Sequence, residues 1–226
     1  MVVGTSGTAY VRQQGDGGFD SEKLIAYELG YRLRPTNESL INLALFYNDY
    51  NSLRSAESKI VTENGLTFAS VYPRNRGKGK STGFEIDGSI KVNKNWELKS
   101  AYSFLKLDLD TRSGSSDTEL EKEQKRSPKN QFNIQSRLNL TNNITLDNAL
   151  YYVSNIQVTD NNLKIVRVPA YWRFDTHIGW QYSKSISFDL VGQNLFDDSH
   201  TEFSGALWSE PIKIGRTFYA KVTFKF

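Results

Sequence analysis

The chain has 226 residues, with 28 basic and 25 acidic side chains for a net charge of +3, and aromatic residues make up 13% of it. It has no cysteine, which excludes disulfides, thiolate nucleophiles and Cys-ligated zinc, and its charges are interspersed rather than gathered into a basic stripe, which disfavours a nucleic-acid partner. Mean hydropathy is −0.53, and no run approaches the ~18 to 20 apolar residues of a membrane helix. A barrel stays open, because its strands alternate and are polar on average.

The spacing predicts one all-β domain of hairpins. A first strand over Leu24 to Leu33 turns at Arg34-Pro35-Thr36-Asn37-Glu38 into a second from Leu40 to about Arg54. Pro and Asn supply the turn chemistry. A long loop over Ser55 to about Tyr72 is expected next. The third strand ends at Gly83 to Val92, with Phe84, Ile86, Ile90 and Val92 on one face, and Asn93-Lys94-Asn95 turns it into a fourth over Trp96 to Asp110. Thr111 to Pro128 reads as a solvated, charged loop. Gln131 to Leu140 sets Phe132, Ile134, Leu138 and Leu140 against Asn133, Gln135, Arg137 and Asn139. After the turn Thr141-Asn142-Asn143 come Ile144 to Val158, a loop over Thr159 to Pro169, Tyr171 to Tyr182, a turn at Ser183-Lys184 and Ser185 to Phe196. A loop over Asp197 to Ile214 leads to the final strand, Gly215 to Phe226. There Phe218, Ala220, Val222, Phe224 and Phe226 oppose Thr217, Tyr219, Lys221, Thr223 and Lys225, because strand side chains alternate with period 2.

Short turns thus alternate with long loops along about nine strands, each near the ~9 to 11 residues that cross a bilayer. One face suits lipid. On the other, Lys221, Lys225, Arg137, Asp175, Gln181 and Asp189 are expected to line a wet interior. Trp96, Trp172, Trp180, Tyr151, Tyr152, Tyr182 and Phe226 fall near strand ends, where amphipathic rings favour the interface. An odd strand number places the two ends on opposite sides of a membrane, and Met1 is followed by no basic and apolar leader. Both features lead to the expectation of a C-terminal piece of a larger barrel.

Chemistry-bearing clusters are scarce. His177 and His200 lie on different segments, and no catalytic, cofactor or metal site is expected. Asp16, Asp20 and Glu22 among Gly15, Gly17 and Gly18 lack EF-hand spacing and read as a surface loop. Gly83, Gly88 and Gly192 mark bulges or close packing. The long loops carry Arg74, Arg76, Lys78, Lys80, Lys164, Arg167 and Trp208, a mixture suited to an aromatic, anionic ligand; Arg74, Arg76 and Trp208 are the candidate ligand-binding residues.

Several stretches resemble the C-terminal barrel of TonB-dependent outer-membrane receptors. Leu190-Val-Gly-Gln-Asn-Leu-Phe-Asp-Asp198, followed by His200-Thr-Glu-Phe203 and the aromatic final strand, is similar to the family's penultimate-strand block. Asn194 and Asp197 in it read as strand-end and turn residues rather than ligands. Ser21-Glu22 with Tyr27-Glu-Leu-Gly-Tyr-Arg32, Leu45-Phe-Tyr-Asn-Asp-Tyr-Asn-Ser-Leu53, Asn75-Arg-Gly-Lys-Gly-Lys80 with Gly83-Phe-Glu85, and Ser127-Pro-Lys-Asn-Gln131 resemble further family segments in the same order. Ser21 replaces a common proline.

The resemblance implies an antiparallel transmembrane β-barrel segment, about nine strands of a 22-stranded barrel, with short periplasmic turns and long extracellular loops in a Gram-negative outer membrane. Residues 1–20 would be an extracellular loop remnant and residues 21–226 the barrel, with the plug domain absent. It further implies energised uptake of a large scarce nutrient, foremost an iron–siderophore complex, with cobalamin, haem or a glycan as other cargoes. The implied partners are outer-membrane lipid, TonB acting through the missing plug region, the ligand, and the barrel-assembly machinery recognising Phe226. Two alternatives stay open on the residues alone: a self-contained passive or adhesive barrel, and a soluble β-sandwich carbohydrate-binding module.

Overall fold

The computed structural model describes residues 2–4, 7–159, 164–203 and 212–226. The strands are β1 (Val2–Gly4), β2 (Gly7–Gln13), β3 (Lys23–Leu33), β4 (Ser39–Glu63) and β5 (Leu66–Asn93). They continue with β6 (Trp96–Thr111), β7 (Asn130–Asn139), β8 (Ile144–Val153), β9 (Ile156–Thr159) and β10 (Ile165–Val168). The last are β11 (Tyr171–Gln181), β12 (Ile186–Gln193), β13 (Ser199–Phe203), β14 (Ile212–Gly215) and β15 (Thr217–Phe224). One helix, α1 (Leu120–Glu123), lies between β6 and β7.

The chain divides into two compact units. The first comprises Met1–Tyr27, Tyr47–Thr82 and Leu107–Lys125, and the second Glu28–Phe46, Gly83–Lys106 and Arg126–Phe226.

In the second unit the pairing order is β3-β4-β5-β6-β7-β8-β11-β12-β15, the nine expected strands. Registers run antiparallel from Trp96↔Leu138 through Ile134↔Leu150 and Leu150↔Phe174 to Leu190↔Ala220. This places Ile134, Leu150, Phe174, Ile178, Leu190 and Val222 on one face. Among the described residues the buried apolar core is only Ile156, Val158 and Val168, in the β9–β10 hairpin. Ile178, Leu190, Val222 and Phe224 stay exposed. A soluble sandwich would bury such a face against a second sheet, so that alternative fails. β3 and β15 each pair on one side only, so the sheet is not closed among the described residues, as expected of a part of a larger barrel.

Aromatic rings gather at two levels of the apolar face. Trp180 stacks on Phe188 at 5.3 Å and meets Tyr182 at 5.3 Å beside the Ser183-Lys184 turn. Trp96, at the same ends of the strands, donates from Nε1 to Ser136 Oγ at 3.0 Å. Trp172 packs on Tyr152 at 4.8 Å and Phe132 at 6.4 Å. Eight residues of strand separate Trp172 from Trp180, about 27 Å of rise, or about 19–22 Å along the membrane normal at a tilt of ~35–45°, a little under the ~25 Å apolar band of an outer-membrane barrel. Tyr151 departs from expectation: it lies on the polar face under Arg173, whose Cζ is 5.7 Å from its ring.

The first unit corrects the expected loop at Ser55 to Tyr72. β4 runs on to Glu63 and β5 begins at Leu66, joined by Asn64-Gly65 with φ of 52° and 75°. Two left-handed residues form the tight hairpin turn that continues strand twist, and glycine takes the second position without a Cβ clash. Residues 1–20 contain β1 and β2, and β2 pairs in parallel with β5 from Ala9↔Thr67 to Gln13↔Val71. The other expected loops also carry structure: α1 within 111–128, β9 and β10 around 159–169, and β13 and β14, the latter ending at Gly215, across 197–214.

Asn194, read as structural in the sequence, closes β12. It is fully buried at φ 54°; its N–H donates to Asp175 Oδ1 at 3.0 Å and its Nδ2 to the Ile214 carbonyl at 3.2 Å. Asn194→Ala is expected to cost the folded receptor about 2 kcal/mol, from an unmade buried hydrogen bond and a left-handed alanine. Asn194→Gly incurs only the first effect, so melting temperatures should rank wild type, Gly, Ala.

Candidate functional site

Two sites emerge, one in each unit. In the second unit, the polar faces of β6, β7, β8, β11, β12 and β15 align Glu97↔Arg137, Arg137↔Asp147, Asp147↔His177 and Asp189↔Lys221. Arg137 Nε reaches Asp147 Oδ1 at 3.5 Å. His177 stands between two carboxylates, Nδ1 3.2 Å from Asp147 Oδ2 and Nε2 2.8 Å from Asp189 Oδ1. Arg173 grips Asp175 with Nε at 3.0 Å and Nη2 at 2.7 Å. A cleft of about 220 Å³ is lined by Lys99, Gln135, Arg137, Asp147, Asp175 and His177.

Of the residues expected on the polar face, Arg137, Asp175, Asp189 and Lys221 fall together in this region. Gln181 instead caps the adjacent turn, donating from Nε2 to the carbonyls of Ser183 and Ile186 at 2.6 and 3.2 Å. His177 and Asp147 were not legible as partners, because residues 30 apart meet only once the β8–β11 register is known. The glycines pack rather than bind: a Cβ at Gly83 would lie 2.5 Å from Phe46 Cζ, one at Gly88 3.0 Å from the Leu40 carbonyl, and one at Gly192 3.0 Å from Leu195 Cδ2.

In the first unit, cations and rings interleave along β4 and β5. Lys59 Nζ lies 5.5 Å and Arg74 Cζ 5.8 Å from the Tyr72 ring, and Arg12 Cζ lies 4.7 Å from that of Phe68. Arg74 and Arg76 share a face of β5, two residues apart on a strand rather than on the expected loop. Arg74 pairs with Asp16 at 2.7 Å, Arg76 donates to the Gly114 carbonyl, and Lys78 pairs with Asp110 at 3.0 Å. A cleft of about 360 Å³ beside them is lined by Gln13, Gln14, Arg54, Val71 and Tyr72. Trp208 lies outside the described residues.

The same unit holds a buried carboxylate. Glu57, 3% exposed, accepts from Ser55 Oγ at 2.7 Å, Ser115 Oγ at 2.6 Å, the Ser116 N–H at 2.6 Å and Ser116 Oγ at 3.0 Å. Burial acts to raise its pKa, but these four donors outweigh burial and hold it at about 2. Two further bonds fasten the same segment, Ala56 N–H to Asp117 Oδ2 and Ser58 N–H to Ser116 Oγ, both at 2.7 Å.

Comparison with known proteins agrees with this architecture. The family model for the TonB dependent receptor-like β-barrel matches residues 3–195. A protein of Bordetella pertussis, described as "Probable TonB-dependent receptor BfrD", is 26% identical over 159 residues, covering 66% of this chain and 21% of the relative. Among solved structures, the ferric-catecholate import receptor Fiu of E. coli K12 superposes with a TM-score of 0.70 at 19% identity, over 92% of this chain and 28% of that one. The FrpB iron transporter of Neisseria meningitidis gives 0.72 at 17% identity, over 96% and 33%. These structural likenesses establish the fold, and the chain spans a third or less of each of these relatives' length. The chain therefore belongs to the TonB-dependent receptor β-barrel family, a family of outer-membrane receptors of Gram-negative bacteria rather than of enzymes.

Proposed function

We propose that these residues form part of the wall and outer rim of an energised importer whose cargo is a large, anionic, aromatic nutrient, foremost an iron–siderophore complex. The observation that carries this reading is the interleaving of Lys59, Tyr72 and Arg74 beside a cleft on β4 and β5, because cations and ring faces together hold an anionic aromatic ligand. Residues 21–226 supply the wall and residues 1–20 an external segment laid along it. The apolar face, between its two aromatic girdles, meets lipid, and the polar face lines the interior. A plug domain and TonB, supplied by the whole receptor, drive release of the ligand inward, and Phe226 serves the barrel-assembly machinery as a recognition element.

Arg74→Ala with Arg76→Ala in the intact receptor is expected to weaken binding of a ferric siderophore by about tenfold or more, the loss of one or two charge-assisted contacts. Unchanged binding and uptake would remove this assignment of the site.

A further inference from the structure

The geometry of His177 carries more than a place in the wall. A neutral imidazole has one N–H and one lone pair, while an ionised carboxylate only accepts hydrogen bonds. Both nitrogens of His177 lie within hydrogen-bonding distance of carboxylate oxygens, Asp147 Oδ2 at 3.2 Å and Asp189 Oδ1 at 2.8 Å. A neutral ring would turn its lone pair on one of them. Only a ring protonated at both nitrogens donates to both.

The surroundings make the same demand independently. Across six strands the polar face carries Glu97, Arg137, Asp147, His177, Asp189 and Lys221 in sequence, adjacent as cross-strand pairs and, for His177 and Asp189, through their 2.8 Å contact. With a charged ring the signs alternate throughout; with a neutral one, Asp147 and Asp189 become like charges facing each other across an uncharged spacer. The charged groups facing the ring from neighbouring strands are Asp147 on β8 and Asp189 on β12. Arg137 on β7 backs the first, Lys221 on β15 is opposite the second, and β11's own Asp175 is engaged by Arg173. Backbone pairing sets Gly179, not His177, opposite Asp189, so the contact is diagonal. A Cβ at Gly179 would stand 2.7 Å from Thr145 Oγ1 and 3.6 Å from Asp189 Oδ1, so the missing side chain leaves the Asp189 carboxylate its route to the ring. Among the described residues Asp147 Oδ1 has no hydrogen-bond donor and faces only Arg137 Nε at 3.5 Å, so Asp147 has no neutral donor in reserve if the ring proton leaves.

We propose that His177 is a standing imidazolium which joins β8 to β12 across β11, and that its one proton sets the continuity of the charge row. Loss of the proton at alkaline pH divides the row into Glu97/Arg137/Asp147 and Asp189/Lys221, and loosens the wall between β11 and β12. This does not depend on the identity of any cargo.

The test is solid-state NMR of the full-length receptor, labelled with ¹⁵N-histidine and held in lipid, with His177→Gln identifying the signal by subtraction. The expected result is a ring protonated at both nitrogens at pH 7.5. Asp189→Asn should leave a single neutral tautomer at the same pH while the receptor keeps its folded gel mobility. Stability should fall on passing to alkaline pH in the wild type and stay level in His177→Lys, which retains the charge. A single neutral tautomer in the wild type at pH 7.5, or a ring still protonated at both nitrogens in Asp189→Asn, would overturn the proposal.

Discussion

Arginine in place of Leu150 is expected to lower the stability of the lipid-embedded receptor by about 1–3 kcal/mol, between the cost of a charge at the midplane of a barrel's lipid face and that near its interfaces. Leu150 sits mid-strand on β8, with Ile134 and Phe174 directly opposite on either side. Neither neighbour can pair with a guanidinium, and Leu150 lies two residues, about 7 Å of strand, inside the Tyr152–Trp172 girdle and six residues from the Ile144–Trp180 level, so the side chain reaches water only by stretching toward the nearer girdle. The matched control is Gln135→Glu on the opposite face of β7, opposite Lys99, expected to change stability by less than about 0.5 kcal/mol. Denaturant unfolding of the two variants in phospholipid vesicles checks the pair. Equal effects would mean that the two faces do not meet different solvents.

A second large effect is expected at Glu57. Its carboxylate collects four hydrogen bonds, three of them from Ser115 and Ser116, so it fastens residues 115–117 to β4. Glutamine keeps the shape but turns an NH₂ group onto serine donors, and a buried mismatch of this kind costs about 2 kcal/mol. Hydrogen exchange at the Ser116 amide should accelerate about thirtyfold in Glu57→Gln, and trypsin should cut sooner at Lys122 and Lys125, while β7, β8 and β11 keep their protection. The pH dependence has a fixed sign. The folded carboxyl titrates at about 2, below its ordinary 4.5, so its contribution is complete above about pH 5 and is lost as pH falls toward 2. Exchange at Ser116 that is unchanged in the variant would mean that the bonds to Glu57 do not hold the segment.

Most of the wall was legible in the sequence because each strand is bounded by a turn of two to five residues with Pro, Asn or Ser chemistry and alternates apolar with polar side chains. The hairpin of β4 and β5 was not. Asn64-Gly65 is a strong turn signal, but the strands around it, Ser55 to Glu63 and Leu66 to Tyr72, are rich in Ser, Thr and charge, and extend past the length that a membrane crossing explains. Period 2 weakens where neither face is apolar, so these residues resembled a loop. Arg74 and Arg76 were consequently placed on a loop, and their engagement by Asp16 and Gly114 stayed hidden. The row through His177 was unreadable for a different reason. Its members lie on six strands, and sequence distance says nothing of register until the ladders are paired.

The most direct test of the account is cysteine scanning along β7 and β8 in the full receptor within native outer membranes. These 226 residues contain no cysteine, so any endogenous thiols to be removed first lie elsewhere in the receptor. The account predicts that a small water-soluble thiol reagent labels positions 133, 135 and 137 and spares 132, 134 and 138, with the same alternation at 147, 149 and 151 against 146, 148 and 150. Uniform labelling along both strands, or alternation of the opposite phase, would contradict a wall whose polar face is wet and whose apolar face is sealed by lipid.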